Sequence, residues 1–212
     1  MKKTIYFIRH GESEDNAGTN MVGATSALSE KGRAQASFVA QRAAKLPIDV
    51  IISSTMERAK QTAQAIVELT GKPIEYTDLI VERGMPTSGL GRSVLDPESV
   101  KIEDLLMEKL IEHDFRHSDE ENFNDMKERV AKALTYLEAR TEENIVMVSH
   151  GAFLKFMIAV VIFGNELTGK EARLIMRKLK TMNTGITIFE YDPEHKYGPW
   201  RLVVYNDHAH LG

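Results

Sequence analysis

The sequence contains no cysteine. That absence excludes disulfides, thiolate metal sites and cysteine nucleophiles together. Long apolar runs are missing as well. The longest, residues 156–163, falls far short of the roughly 20 residues needed to span a bilayer. The opening Met-Lys-Lys-Thr-Ile is basic but lacks the extended apolar region and small-residue cleavage site of a signal peptide. Charge of one sign is not in excess: 27 Lys and Arg against 31 Asp and Glu leave a net charge of −4. Any anion site must therefore be local, and neither nucleic acid nor an anionic membrane is expected as a partner. Repeats, low-complexity segments and interdomain linkers are also absent. With 212 residues, 42% apolar and 27% charged, the expectation is one soluble domain, residues 1–212, from a reducing, cytoplasmic compartment.

The stretch around which the chain is organised is Tyr6-Phe7-Ile8-Arg9-His10-Gly11-Glu12. Residues 4–8 read as a buried strand that stops on a guanidinium, an imidazole and a glycine. In open α/β sheets, ligands bind outside the carboxyl ends of strands. Gly11 allows a sharp turn or the close approach of a ligand. By itself the stretch is equally well read as a polar strand end, so a second half of a site is needed.

The polar run 13–27 predicts a loop near the site. Ser29 can cap a helix over 30–45. A second strand at 49–52 leads into Ser53-Ser54-Thr55 and a helix over 56–70. Free N–H groups at such a start receive anions. Arg58 in the first turn opposes the helix dipole, and is out of place unless an anion sits there. Strands are further expected at 73–76, 145–148, 185–191 and 200–205, and helices at 100–112, 122–140, 152–163 and 170–178. Residues 84–97 read as an irregular loop suited to a lid. The acidic 118–121 stretch reads as solvated. The strand at 145–148 ends on Ser149-His150-Gly151, repeating the opening architecture of strand, histidine, glycine and turn.

Two strand ends thus deliver His10 and His150, and Arg9 and Arg58 lie beside strand or helix ends. In a doubly wound sheet these residues converge. Two imidazoles with two guanidiniums suit phosphoryl transfer. Arginine forks match phosphate oxygens, and a neutral imidazole is a competent nucleophile once its other nitrogen is hydrogen-bonded. A protonated second histidine can donate to an oxygen as charge develops.

The sequence resembles the histidine phosphatase superfamily, also called phosphoglycerate-mutase-like. The resemblance rests on Arg9-His10-Gly11-Glu12-Ser13, Asn16, the Leu28 to Ala36 block and Ser53-Ser54 through Arg58-Ala59-Lys60-Gln61-Thr62-Ala63. It continues with Glu82, the helix around 123–129, Ser149-His150-Gly151, Asn183-Thr184 and the closing Asn206-Asp207 to His210-Leu211. It implies a three-layer α/β sandwich around a mostly parallel sheet, with a small helical lid or insertion at about 84–125. It implies His10 as a nucleophile that becomes phosphohistidine. Arg9, Arg58 and His150 would hold phosphoryl oxygens, Asn16 and Gly11 would contact the substrate, and Glu82 would be the general acid. Glu82 also ends an apolar stretch at the mouth of the irregular loop, and Glu12 is the alternative acid. No metal or other cofactor is implied, because arginines and imidazoles supply the charge. His210 would belong to a closing structural motif.

The sequence departs from the family in three places. Asp15 stands where tryptophan is common. Asn20-Met21-Val22-Gly23 replaces the usual Arg/Gln-Gly arrangement, and the stretch from Arg83 to Arg92 lacks the mutases' aromatic and arginine-bearing segment. Arg83 and Arg92 remain candidates for a second charged group on the substrate. The expected activity is that of a phosphoric monoester hydrolase of the histidine acid phosphatase type, metal-independent and acting on a phosphorylated small molecule or a phosphoprotein. The alternatives are a phosphoglycerate-mutase-type phosphotransferase and a catalytically weak phosphate-binding regulatory module. The substrate and the oligomeric state are left open.

Overall fold

The computed structural model describes residues 1–18, 21 and 23–212. Thr19, Asn20 and Val22, part of the expected 13–27 loop, lie outside the described residues. Six strands form one sheet: β1 (Lys3–Arg9), β2 (Val50–Ser54), β3 (Ile74–Thr77), β4 (Asn144–Ser149), β5 (Ile186–Tyr191) and β6 (Trp200–Asp207), in the order β3-β2-β4-β1-β5-β6. The first four run parallel, while β5 is antiparallel to both β1 and β6. Helices α1 (Glu14–Ala17), α2 (Glu30–Ala43), α3 (Glu57–Thr70), α4 (Pro97–Glu108), α5 (Phe123–Glu138), α6 (Gly151–Phe163) and α7 (Gly169–Lys178) complete the chain.

Strand alternation sorts the core into two slabs, making the sandwich expected from the sequence. Ile5, Phe7, Ile52, Ile145 and Met147 face α5 and α6, where Met126, Val130, Phe153 and Phe156 are fully buried. Tyr6, Ile8, Ile51, Val146 and Val148 face α2 and α3. Burial on both faces explains why these strands read as continuous apolar runs rather than alternating ones.

Local chemistry sets the helix ends. Ser29 accepts the Gly32 N–H, and Gly71 closes α3 with φ +65°. Asp96 accepts two N–H groups ahead of Pro97, so α4 starts three residues earlier than the expected 100. The 13–27 run is not all loop, because Ser13 caps the short α1. Residues 84–122 contain α4 and two 3-10 turns, at 87–89 and 109–111. Among the described residues, no helix is long and apolar enough to cross a membrane.

Two glycines weld the opening motif to α2. A Cβ on Gly32 would lie 1.9 Å from the Glu12 carbonyl oxygen, and one on Gly11 would lie 2.6 Å from that of Gly32. In an unconstrained helix, Gly→Ala gains about 1 kcal/mol. Here Gly32→Ala is expected to lose about 1–3 kcal/mol by overpacking against backbone. Urea denaturation reads the sign directly, and a stabilised variant would contradict the contact.

Candidate active site

β1 and β4 pair in parallel with Arg9 opposite Ser149, and the His10 N–H donates to the Ser149 carbonyl at 2.9 Å. The next residue of each strand is a histidine, so register alone makes His10 and His150 neighbours, with ring centroids 5.0 Å apart. Ser54, at the end of adjacent β2, places its hydroxyl 2.8 Å from His150 Nε2. Both histidines are buried.

His10 Nδ1 lies 2.6 Å from the Gly11 carbonyl oxygen. A carbonyl can only accept, so Nδ1 carries the proton and Nε2 presents its lone pair. That lone pair accepts the Arg58 Nε–H at 3.1 Å. Asn183 Nδ2 donates to the His10 carbonyl, and the Gly11 N–H donates to the Thr62 hydroxyl, which donates in turn to the Arg58 carbonyl. Arg9 Nη1 donates to the Thr181 carbonyl at 2.6 Å. Arg9 Nε and His150 Nδ1 are buried without a hydrogen-bond partner. Such orphaned polar atoms are costly in a folded protein.

Glu82 caps α6. Its Oε1 accepts the N–H groups of Arg83, Ala152 and Phe153 at 3.0–3.1 Å, while Oε2 has one longer contact, to Ala152 at 3.3 Å. One oxygen is thus anchored and the other is more loosely held. Arg129 holds the main chain behind it, donating to the carbonyls of Leu79, Val81 and Glu82 and gripping the Glu121 carboxylate at 2.6 and 2.7 Å. Glu121 also accepts the Gly84 N–H, and its carbonyl accepts from Arg83 Nε and Nη2.

A cleft of about 310 Å³ opens over His10, bounded by Arg9, Arg58, Asn16, Glu82 and Arg83. A larger depression of about 650 Å³, beside β3, has no histidine. Its walls carry Asp78, Asp125 and Glu128 against Arg129 and Lys132, a poor environment for a phosphate.

The sequence of residues 5–208 matches the profile of the histidine phosphatase superfamily, branch 1. The chain belongs to the histidine phosphatase superfamily. It is 30% identical, over 98% of its length and 94% of the relative's, to a probable phosphoglycerate mutase of Salmonella arizonae. Identity is 27%, with the same coverage, to a probable phosphatase of Schizosaccharomyces pombe. The crystal structure of a phosphoserine phosphatase mutant from Entamoeba histolytica, in complex with phosphoserine, superposes with a TM-score of 0.77 at 28% identity, covering 99% of both chains.

Of the residues singled out from this histidine phosphatase's sequence, Arg9, His10, Arg58, Glu82, Asn16 and Arg83 border one cleft, with His150 packed against His10. Gly11 is not at the cleft wall. Its missing side chain serves the packing on Gly32. Arg92 is also absent from the wall and pairs with Glu98 on the surface. Glu12, the alternative acid, is tied to Ser29 and Lys31. The 118–121 stretch is not simply solvated. Glu120 is fully buried, with its carboxylate accepting the His117 and Ser118 N–H groups. Ser54, Thr181, Asn183 and Arg129 had no assigned role. Arg129 left a signal: a charged residue between Met126, Val130 and Ala133 on the apolar stripe of α5.

Burial, with Arg58 and Arg9 adding to it, holds the His10 pKa well below its ordinary value. Burial, then His10 and the arginines, does the same to His150. The unfolded chain takes up these protons near pH 6.5, whereas the native state refuses them until far lower. Stability from this source is therefore complete above about pH 6.5 and is lost as the pH falls, by up to about 1.4 kcal/mol per pH unit for each histidine. Unfolding free energies between about pH 6.5 and 5 should fall less steeply in a His10→Gln/His150→Gln variant than in the wild type. Parallel profiles would show that these groups do not carry the linkage.

Proposed function

We propose that this histidine phosphatase is a metal-independent phosphomonoesterase acting through a phosphohistidine on His10. The observation that carries this reading is the His10 imidazole. It is neutral and fixed by the Gly11 carbonyl as the Nδ1–H tautomer, with the Nε2 lone pair facing the Arg58 guanidinium and the His150 ring packed beside it.

On binding, Arg58 would exchange its contact with His10 Nε2 for a phosphoryl oxygen. Arg9, His150 and Asn16 would take the remaining oxygens. His10 Nε2 attacks phosphorus, the bond to the leaving oxygen breaks, and its electron pair is met by a proton from Glu82. Water then attacks the phosphohistidine while Glu82 takes a water proton. The P–N bond breaks, and the pair returns to Nε2. The arginines supply the positive charge this transfer needs. The 84–122 segment would act as the lid over the cleft, and the product alcohol would leave by it.

Phosphate release from phosphomonoesters, measured in chelator, is expected for the wild type and abolished in His10→Ala at unchanged circular dichroism and melting temperature. Near-normal turnover by His10→Ala would remove the covalent route. Strict dependence on a phosphorylated primer, without net phosphate release, would move the enzyme to the mutase class of the Salmonella relative. Glu82→Gln keeps an oxygen for the α6 N–H groups but cannot donate a proton of the same kind. It should slow alkyl phosphates by roughly 10²–10⁴-fold and nitrophenyl phosphate far less. Equal losses on the two substrates would place the acid elsewhere.

A further inference from the structure

The cleft over His10 does not end at Glu82. A second hollow of about 240 Å³ shares Asn16, Met21, Glu82, Arg83 and Met85 with it. The two spaces therefore adjoin along these residues, with Glu82 in the wall they share. Glu82 is the group proposed to protonate the leaving oxygen, so a substrate with its phosphoryl group over His10 projects its alcohol portion into this second space.

The walls say what that portion is. Leu106 and Met107 come from one face of α4, Met176 from α7, Val94 from the segment before α4, and Met85 and Met21 from the two bordering loops. Four of these six are methionines. Thioethers on unbranched chains fit irregular shapes and make favourable contacts with aromatic rings. Polar recognition is sparse. Among the described residues of this hollow the only cation is Arg83, whose Nε and Nη2 are already engaged by the Glu121 carbonyl. Glu82 and Glu103 place two carboxylates on the same wall set. A leaving group bearing its own carboxylate, as in the phosphoserine bound by the Entamoeba enzyme, would meet more negative than positive charge here. The Met21 N–H donates to the Arg92 carbonyl at 2.7 Å, and the Gly91 N–H donates to the Met21 carbonyl, so Met21 is held in place as a wall.

We propose that this hollow is the leaving-group site, and that the enzyme's substrate is the phosphomonoester of an apolar, ring-bearing alcohol without a carboxylate. The proposal rests on the phosphomonoesterase reading above, and its test separates the two.

The comparison is 2-phenylethyl phosphate against glycerol 3-phosphate and phosphoserine, all alkyl esters, so that ring recognition is not confused with an easier leaving group. The ring-bearing ester is expected to show kcat/KM about tenfold or more above the others. Val94→Trp fills the hollow from its half-exposed side, and Met107→Glu adds a third carboxylate. Each should cut the ratio of phenylethyl to glycerol phosphate turnover by about tenfold. An unchanged ratio in both variants, or a wild-type preference for phosphoserine, would overturn the proposal. A parallel calorimetric titration compares 3-phenylpropylphosphonate with methylphosphonate on the wild type, and needs no catalysis. Tighter binding of the ring compound, weakened by Val94→Trp, supports the hollow even if no ester is hydrolysed, in which case only the phosphomonoesterase reading fails. Equal binding of the two phosphonates would overturn the leaving-group site.

Discussion

The site depends on the in-register parallel pairing of β1 with β4. The chain leaves β1, builds β2 and β3 at one side, and returns to insert β4 between β1 and β2. That insertion brings two strand ends more than a hundred residues apart in sequence to adjacent positions. Hydrogen bonds at fixed spacing then decide the geometry: with Arg9 opposite Ser149, the following histidines have nowhere else to be. A slip of one residue would turn both side chains to opposite faces of the sheet and dissolve the pair. The fully buried strand residues on either side, apolar on both faces, make such a slip prohibitive.

Glu82, the proposed acid, is held by a different device. Glu82 follows a 3-10 turn and would be a loop residue of loose geometry if left to its own backbone. Arg129, projecting from α5, donates to three carbonyls of that segment, those of Leu79, Val81 and Glu82, and grips Glu121, which reaches forward to the Gly84 N–H and the Arg83 guanidinium. A helix in the core thus lends its rigidity to a segment that has none. The partners are half-buried and multiply hydrogen-bonded, the setting in which charged pairs position groups rather than merely decorate a surface.

The strands and helices were legible because their signals are local: apolar runs, helical periodicity, Ser29 at a helix start and Gly71 at a helix end. The pair His10 and His150 was legible because two strand ends carried the same residue. The packing of Gly11 on Gly32 was not legible, because a glycine beside a histidine gives no hint whether space is needed for ligand or for backbone, and Gly32 lies on another element. The surface pairing of Arg92 with Glu98 was hidden for a different reason: an arginine in an irregular loop has no periodicity to say which way it faces. The acidic run 118–121 looked solvated by composition, yet one carboxylate closes a turn on its own backbone and another is clamped by an arginine of α5. Contacts across the fold of this kind leave little trace in the order of residues.

The hydrogen bond from Arg58 to His10 Nε2 has a consequence of its own. In the resting enzyme the lone pair that would attack phosphorus is capped, so the imidazole is shielded from stray electrophiles and from casual protonation. Only a ligand that offers the guanidinium a better acceptor, an anion of sufficient charge, draws the cap aside. On the proposed mechanism the nucleophile would thereby be released by the same group it is to attack, and selection for a phosphoryl compound would begin before any bond is made.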